Sequence, residues 1–314
     1  MRISILAAAL STVSMAHAAV PVVVTDTAPV HALVAMVMGD LGEPARLIPP
    51  GTSPHDAALR PSDAAALSQA GLVIWSGTGL VPYLADPIAT LAPSAEVLSL
   101  LDDTDWPRLP LRDHAAFSRD DHDHDHDHDH GDHADDHDHD HALDSVDPHG
   151  WLSPAVAQAW IDSIAASLIA QDPENAEIYA ANAQAARAEI TALQAEITEV
   201  LAPVAGRPYF VPHDAYQYFE TAFDMPAAGA IALSDAVSAG PAHVAEMQKR
   251  IADEGIACVL SDPQTSPDLL ALVIEGSDAK TAAADPDGQD LTPGAALYPA
   301  MMKGLAAALA ACLS

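Results

Sequence analysis

Residues 174–201 read ENAEIYAANAQAARAEITALQAEITEVL, and this stretch determines how the rest of the chain is organised. It contains no Gly or Pro and is rich in Ala, Glu, Gln, Ile and Leu, which favours one continuous helix. At a rise of about 1.5 Å per residue, its 28 residues span roughly 42 Å. A helix of that length can run from one lobe of a protein to another as a stiff strut.

Short apolar runs alternate with helical patterns on both sides of this helix, over residues 20–100 and again over 207–313. This alternation is typical of α/β lobes built on parallel sheets. We therefore expect an α/β fold of two similar lobes with parallel sheets, joined by one long rigid helix. Open α/β sheets bind ligands beyond the carboxyl ends of their strands, so the cleft between the lobes is the expected site.

The first 19 residues have the features of a removable secretory signal. Arg2 precedes an apolar stretch over residues 3–13, and small residues favour cleavage after Ala18 or Ala19. We expect a periplasmic protein that is not embedded in the membrane, because no later apolar run reaches the ~18 residues of a spanning helix. The predicted units of the mature chain are an N-terminal lobe over 20–151, helices over 153–202 and a C-terminal lobe over 203–314.

The net charge and the cysteine content indicate which partners and which cellular compartment suit the chain. The chain has 12 Lys plus Arg against 45 Asp plus Glu, a net charge of −33, so nucleic acid is excluded as a partner. The two cysteines, Cys258 and Cys312, are expected to form a disulfide in an oxidising compartment. Two buried free thiols are the alternative.

Residues 120–141 contain 11 Asp, 9 His and no basic residue. Such a segment cannot bury enough apolar surface to offset its ordering entropy, so a disordered loop is expected over 113–146. Its imidazole and carboxylate pairs can bind divalent ions more weakly than a preorganised cleft would. A solvated acidic linker is the alternative. The histidines of this auxiliary metal loop are His122, His124, His126, His128, His130, His133, His137, His139 and His141.

Three further histidines stand in Pro-containing loops at strand ends or helix starts: His55, His149 and His213. Three neutral imidazoles suit Zn²⁺ and leave a fourth position for a carboxylate or water. Because spacing alone does not show that they converge, scattered loop histidines remain the alternative.

The segments around these histidines resemble the zinc-specific solute-binding proteins of ABC importers. They are PPGTSPH (49–55), LRPSD (59–63), DPHGWLSP (147–154) and HDAYQYF (213–219). The resemblance covers essentially the whole mature chain. It implies capture of one Zn²⁺ by His55, His149 and His213, without catalysis. It also implies delivery to a membrane permease that works with a cytoplasmic ATPase. We expect the carrier to be a monomer.

The fourth ligand is less clearly indicated. In some relatives a Glu precedes the first ligand histidine, but Pro54 occupies that position here. Asp285 resembles the aspartate that related carriers contribute from the second lobe, with water or a simple turn-forming Asp as alternatives. Asp214 is a candidate to orient His213 or its neighbours through a hydrogen bond. Asp262 is expected to be a turn residue at a strand end, with a position lining the cleft as the alternative.

Three other functions remain open at this point. A free-standing periplasmic zinc chaperone or buffer would need the same zinc site. A secreted zinc hydrolase could use the same histidines, but the chain has no His-Glu-x-x-His segment. A manganese carrier is disfavoured because the third ligand position is His213 rather than a carboxylate.

Overall fold

A computed structural model of the chain describes residues 20–55, 57–112, 146–232 and 240–314. The predicted signal peptide and all nine histidines of the auxiliary metal loop lie outside these residues. None of the helices among the described residues combines the length and the hydropathy that a membrane-spanning segment needs.

The first lobe is built on a four-stranded parallel sheet of order β2-β1-β3-β4. Its central strands are buried along their whole length, as expected when helices cover both faces of a sheet. The strands are β1 (Val23–Thr25), β2 (Ala45–Arg46), β3 (Leu72–Trp75) and β4 (Glu96–Ser99), and the helices are α1 (Ala28–Met38), α2 (Pro61–Gln69) and α3 (Ala85–Leu91).

The second lobe repeats this plan with a parallel sheet of order β6-β5-β7-β8. Both sheets therefore present the carboxyl ends of their strands along one edge, where the connecting loops carry the candidate ligands. The strands are β5 (Tyr209–His213), β6 (Gly229–Ala232), β7 (Cys258–Ser261) and β8 (Lys280–Ala283), and the helices packed with them are α6 (Gln217–Phe223), α7 (Pro241–Glu254) and α8 (Pro267–Val273).

Three longer helices join the lobes: α4 (Pro154–Gln171), α5 (Ala176–Leu201) and α9 (Leu297–Leu313). α5 packs against α4, against α1 of the first lobe and against α9, which covers β7 and β8 of the second. The buried side chains of α5 recur every three or four residues, so one apolar stripe faces its neighbours: Tyr179, Ala183, Ala186, Ile190, Leu193, Ile197 and Leu201.

The contact between α5 and α1 also depends on a glycine. The amide of Asn182 on α5 donates to the carbonyl oxygen of Val37 at 3.0 Å. Gly39, which ends α1, has a φ of +55°, and a Cβ there would lie 2.6 Å from Nδ2 of Asn182. Glycine therefore provides both the left-handed backbone and the room for this junction.

The buried apolar side chains form one continuous cluster that runs through both lobes, from Val24 in β1 to Leu313 at the end of α9. A smaller, separate cluster fills the other face of the second sheet beneath α7 and α8, and includes Phe210, Met247 and Val259. The two lobes and their linking helices thus share one core.

The predicted fold is confirmed, with shifted element bounds. The long helix begins at Ala176, because Pro173–Asn175 form a separate 3₁₀ turn before it. The last helix begins at Leu297 rather than at Gly294, whose φ of +123° is incompatible with helix. The division of the chain into units stays a prediction, with the ranges 20–151, 153–202 and 203–314.

The predicted disulfide is present, between Cys258 at the start of β7 and Cys312 near the end of α9. Both residues are buried, and the bond closes a segment of 54 residues. It fastens the last helix to the sheet of the second lobe.

Replacing both cysteines by alanine is expected to lower the free energy of unfolding by up to roughly 4 kcal/mol, because the unfolded chain regains loop entropy. Urea unfolding followed by circular dichroism measures the change. As a control, a reductant should lower the unfolding midpoint of the wild type and leave that of the double variant unchanged. Equal midpoints for oxidised and reduced wild type would contradict the prediction.

Candidate metal centre

The three predicted ligand histidines come from three separate segments and meet at the cleft. His213 is the last residue of β5, His149 directly precedes a 3₁₀ turn that leads into α4, and His55 lies in the loop between β2 and α2. His149 and His213 are buried, and His55 is half-buried. Both lobes therefore contribute to the same place.

The spacing of the rings is close to that of a zinc site. Ring centroids are 5.6 Å apart for His55 and His149 and 5.9 Å apart for His149 and His213. A tetrahedral Zn²⁺ with Zn–N bonds of about 2.0–2.1 Å places two ligating ring centroids about 5 Å apart. In the described segments, no three His, Cys, Asp or Glu side chains are already gathered at metal-ligand distance. A metal bound by these rings would therefore draw them closer together than they lie here.

Each buried histidine is held through Nδ1 by a carboxylate. Nδ1 of His149 lies 2.7 Å from Oδ1 of Asp147, and Nδ1 of His213 lies 2.8 Å from Oδ2 of Asp262. These bonds select the tautomer protonated at Nδ1 and fix the plane of each ring. The nitrogen through which each ring can bind a metal is therefore Nε2.

The two carboxylates are in turn fixed by their own loops. Oδ1 of Asp147 accepts the backbone N–H of His149 at 2.9 Å, and Oδ1 of Asp262 accepts the N–H of Thr265 at 2.7 Å. Burial disfavours the ionised form of Asp262. The hydrogen bonds from His213 and Thr265 outweigh that effect and hold the pKa of this carboxyl below its ordinary value. Asp262 thus remains an anion that orients His213.

The carboxylate that orients His213 is Asp262 rather than Asp214. The sequence made Asp214 a candidate to orient His213 or its neighbours, and it favoured a turn role for Asp262 over a position lining the cleft. Asp214 follows the last residue of β5, and its carboxylate pairs with Arg112 rather than with the ring of His213. Asp262 follows the neighbouring strand β7, and the order of strands in the sheet brings it beside His213.

Asp214 instead belongs to a buried ion cluster next to the histidines. Nη1 of Arg112 lies 3.0 Å from Oδ1 of Asp214, and Nη2 lies 2.8 Å from Oε2 of Glu220 on α6. Burial raises the pKa of Asp214 to about 6, although Arg112 opposes the shift. Arg112 follows β4 of the first lobe along the chain, whereas Asp214 and Glu220 belong to the second lobe. The ion cluster therefore fastens the residues that lead up to Arg112 to the second lobe.

Two aspartates follow β8. Oδ1 of Asp285, the residue suggested by the family resemblance, accepts the backbone N–H of Asp287 at 3.0 Å. Asp287 itself is buried and interacts electrostatically with His149 and His213. Burial raises the pKa of Asp287 to about 6, and these two histidines and a hydrogen bond from Gln289 oppose the shift. Asp287 does not stand out in the sequence, because Asp-Pro-Asp-Gly is typical of a turn. Asp285 stays a prediction.

Comparison with known proteins points to a single family. Residues 23–312 match the family described as ZnuA, zinc-uptake complex component A, periplasmic. The chain is 44% identical to the high-affinity zinc uptake system protein ZnuA of Paracoccus denitrificans, over 98% of this chain and 97% of that protein. It is 38% identical to the protein of the same name in Brucella suis, over 93% and 91%.

Solved structures share the fold. A crystal structure of ZnuA superposes with a TM-score of 0.74 at 20% identity, covering 93% of this chain and 99% of that one. A manganese-bound periplasmic metal binding protein from Candidatus Liberibacter asiaticus gives a TM-score of 0.72 at 17% identity, covering 93% and 99%. At such low identity these likenesses support the fold alone.

The ion cluster generates a stability prediction. Arg112→Ala leaves Asp214 and Glu220 buried without their cation, so the free energy of unfolding should fall by about 3–5 kcal/mol at pH 8. A raised carboxyl pKa stabilises the folded state below the unfolded pKa, and this stabilisation is lost as the pH rises through about 6. The loss caused by Arg112→Ala should therefore be smaller at pH 5. Urea unfolding at both pH values measures it.

Arg187→Ala is the matched control for this variant. Its ion pair with Asp162 is solvent-exposed, with side chains 51% and 55% exposed, so its loss should cost at most about 1 kcal/mol. Equal losses for the two variants at pH 8 would show that the Arg112 cluster contributes no more than a surface pair.

Proposed function

The chain belongs to the ZnuA family of periplasmic zinc-uptake components, and on that premise we propose that it captures Zn²⁺ and delivers it to the permease of an ABC importer. Zinc is the cargo, bound and released unchanged. The proposed ligands are His55, His149 and His213. The observation that carries this proposal is the approach of three imidazole rings, two of them fixed by buried carboxylates, from both lobes.

The donor set favours zinc over harder cations. Imidazole nitrogen suits Zn²⁺, whereas manganese and magnesium sites are richer in oxygen ligands. Asp147 and Asp262 strengthen the bond between a metal and each buried ring, because a hydrogen bond to a carboxylate raises the basicity of imidazole. A site with three nitrogens and at most one carboxylate therefore supports zinc as the transported ion.

The partners follow from the proposed cycle. A carrier that exchanges zinc with a membrane importer needs a permease to receive the ion and a cytoplasmic ATPase to drive transport. The predicted signal peptide supports a periplasmic location for this exchange. No step of the cycle makes or breaks a covalent bond of a substrate, so the protein needs no catalytic group.

The auxiliary metal loop is proposed to collect zinc for the cleft. This role rests on its sequence, in which nine histidines alternate with aspartates. Tethering weak sites close to a tight one raises the local concentration of zinc without adding any contact to the tight site. Its effect should therefore appear in the rate of loading.

The proposed site predicts one tightly bound zinc per chain, with affinity lost in His149→Ala or His213→Ala. Removing a ligand should cost at least about 100-fold, since even changes to residues behind the ligands cost 10–100-fold. The measurement is a competitive titration against a chromophoric chelator with residues 120–141 deleted, so that only the cleft contributes.

His243→Ala is the control for this titration. His243 lies in the first turn of α7, where Nε2 approaches the carbonyl oxygen of Ala230 at 3.3 Å, and its loss should leave zinc affinity unchanged. If zinc affinity survives loss of His149 or His213, the proposed site is wrong.

The proposed role of the loop predicts a kinetic effect. Deleting residues 120–141 should slow the transfer of zinc from a chelator to the cleft and leave the equilibrium affinity of the cleft unchanged. Stopped-flow absorbance of the chelator measures the rate. The matched control replaces the nine histidines of the loop by serine at constant length and should be equally slow. An unchanged rate in the deletion variant would refute the collecting role.

A further inference from the structure

The carboxylate of Asp147 has one oxygen that the contacts to His149 do not use. Oδ1 accepts both the backbone N–H and the ring Nδ1–H of His149, at 2.9 and 2.7 Å. The residue is 1% exposed, so its other oxygen, Oδ2, has almost no access to water. A buried acceptor without a donor is costly, and Oδ2 therefore needs a partner from the protein.

Gln217, the first residue of α6 in the second lobe, supplies that partner. Its side-chain amide lies 3.1 Å from Oδ2 of Asp147 and 3.0 Å from the carbonyl oxygen of Pro110. We assign the amide nitrogen to the end that faces both oxygens, because only the NH2 group can donate and it carries one hydrogen for each. One side chain of the second lobe thus donates to two acceptors that lie between β4 and α4 along the chain.

The two acceptors of Gln217 belong to neighbouring backbone segments. The N–H of Asp147 donates to the carbonyl oxygen of Leu109 at 2.9 Å, and Pro110 forms an antiparallel bridge with Val146. We call these four residues the paired base, since the auxiliary metal loop lies between its two segments in the sequence. Gln217 therefore holds the paired base at both of its segments.

Two more side chains of α6 contact the same region. The hydroxyl of Tyr218 accepts the N–H of Leu109 at 2.8 Å, and Glu220 pairs with Arg112 at 2.8 Å. α6 thus fixes the position of the paired base against the second lobe. Gln217 differs from Tyr218 and Glu220 because its donors reach the carboxylate that orients a candidate ligand.

We propose that Gln217 is a positioning residue for His149, which it aligns from the second lobe through Asp147. This inference rests on the proposed zinc function of the cleft. The torsion about the Cβ–Cγ bond of an aspartate has no sharply preferred value, so hydrogen bonds to both oxygens are needed to stop the carboxylate from turning. A turned carboxylate would loosen its bond to Nδ1 of His149, and with it the tautomer and the plane of the ring.

The same contacts make His149 sensitive to how α6 lies against the paired base. Gln217 keeps both of its hydrogen bonds only while Asp147 and Pro110 stay in place, because the two N–H groups belong to one planar amide. A displacement of the paired base from α6 would break these bonds. The zinc affinity of the cleft should therefore depend on this junction between the lobes.

The test compares Gln217→Met with the wild type in the full mature chain, titrated with Zn²⁺ against a chelator strong enough to strip the auxiliary metal loop. Methionine keeps the length of the side chain and removes both donors. The affinity of the tight site should fall about 10–100-fold, as for other residues behind a metal ligand. Thr221→Ala, an exposed change on α6, is the matched control and should bind zinc as the wild type does.

A double-mutant cycle shows whether Gln217 acts through Asp147. In the background of Asp147→Ala, Gln217→Met should cause no further loss of zinc affinity, because the carboxylate that it holds is gone. A further loss as large as the one in the wild-type background would overturn the inference.

The tautomer of His149 gives a readout that a general loss of stability would not change. In ¹⁵N-labelled zinc-free protein at pH 8, nuclear magnetic resonance should show His149 and His213 protonated at Nδ1 in the wild type. Gln217→Met should shift His149 toward the Nε2-protonated form and leave His213 unchanged, because Asp262 still holds that ring. The signals of His149 are assigned from their absence in His149→Ala. If both rings keep the wild-type tautomer in Gln217→Met, and in Gln217→Ala as a second variant, the inference is wrong even where affinity falls.

His149→Ala in the same titration separates failure of this inference from failure of the proposed function. Loss of the tight site in His149→Ala with wild-type affinity in Gln217→Met would refute the role of Gln217 and leave the proposed function intact. Retention of the tight site in His149→Ala would refute the proposed site itself.

Discussion

The proposed zinc site brings together three distant segments of chain, so it requires those segments to keep their spacing, and the packing of α5 imposes that spacing. The apolar stripe of α5 lies against α4, α1 and α9, so one continuous core runs through both lobes. Separating the lobes would expose that core at a cost of roughly 25 cal/mol for each Å² of apolar surface. His149 and His213 therefore keep their separation because the whole core does.

Buried carboxylates determine the orientation and the tautomer of two candidate ligand histidines. Asp147 and Asp262 each use one oxygen for an imidazole, and Oδ1 of each is tied to backbone N–H groups of its own loop. A buried carboxylate that lacks such bonds is costly, as the raised pKa of Asp214 shows even with Arg112 beside it. The cleft thus contains Asp262, whose hydrogen bonds hold its pKa low, beside Asp214 and Asp287, whose pKa burial raises. Asp262 therefore keeps the ring of His213 aligned at neutral pH.

Much of this arrangement was predictable from the sequence. The Gly- and Pro-free stretch at 174–201 predicted the helix between the lobes, and strand–helix alternation predicted the parallel sheets. His55, His149 and His213 stood out because each follows a proline in a loop, where ligand residues of such folds collect. No sequence pattern pairs Asp262 with His213, because their contact spans 49 residues and depends on β5 and β7 being neighbours. The buried position of Asp287 was missed for a similar reason. Whether a side chain is buried, and which residues it faces, depends on how the chain folds.

The shared core also constrains how zinc can leave. A hinge motion between the lobes would have to break the continuous apolar cluster, which argues for local rearrangement instead. The second lobe offers a place for one, because α7 and α8 pack on a smaller apolar cluster that is separate from the main core. A shift of α8, which follows Asp262 along the chain, would act on the end of β7, where Asp262 meets His213 of β5, and leave α5 in place. Weakening that one hydrogen bond would free the ring of His213, a proposed ligand, from its aligned position, and this is a way to lower zinc affinity without separating the lobes.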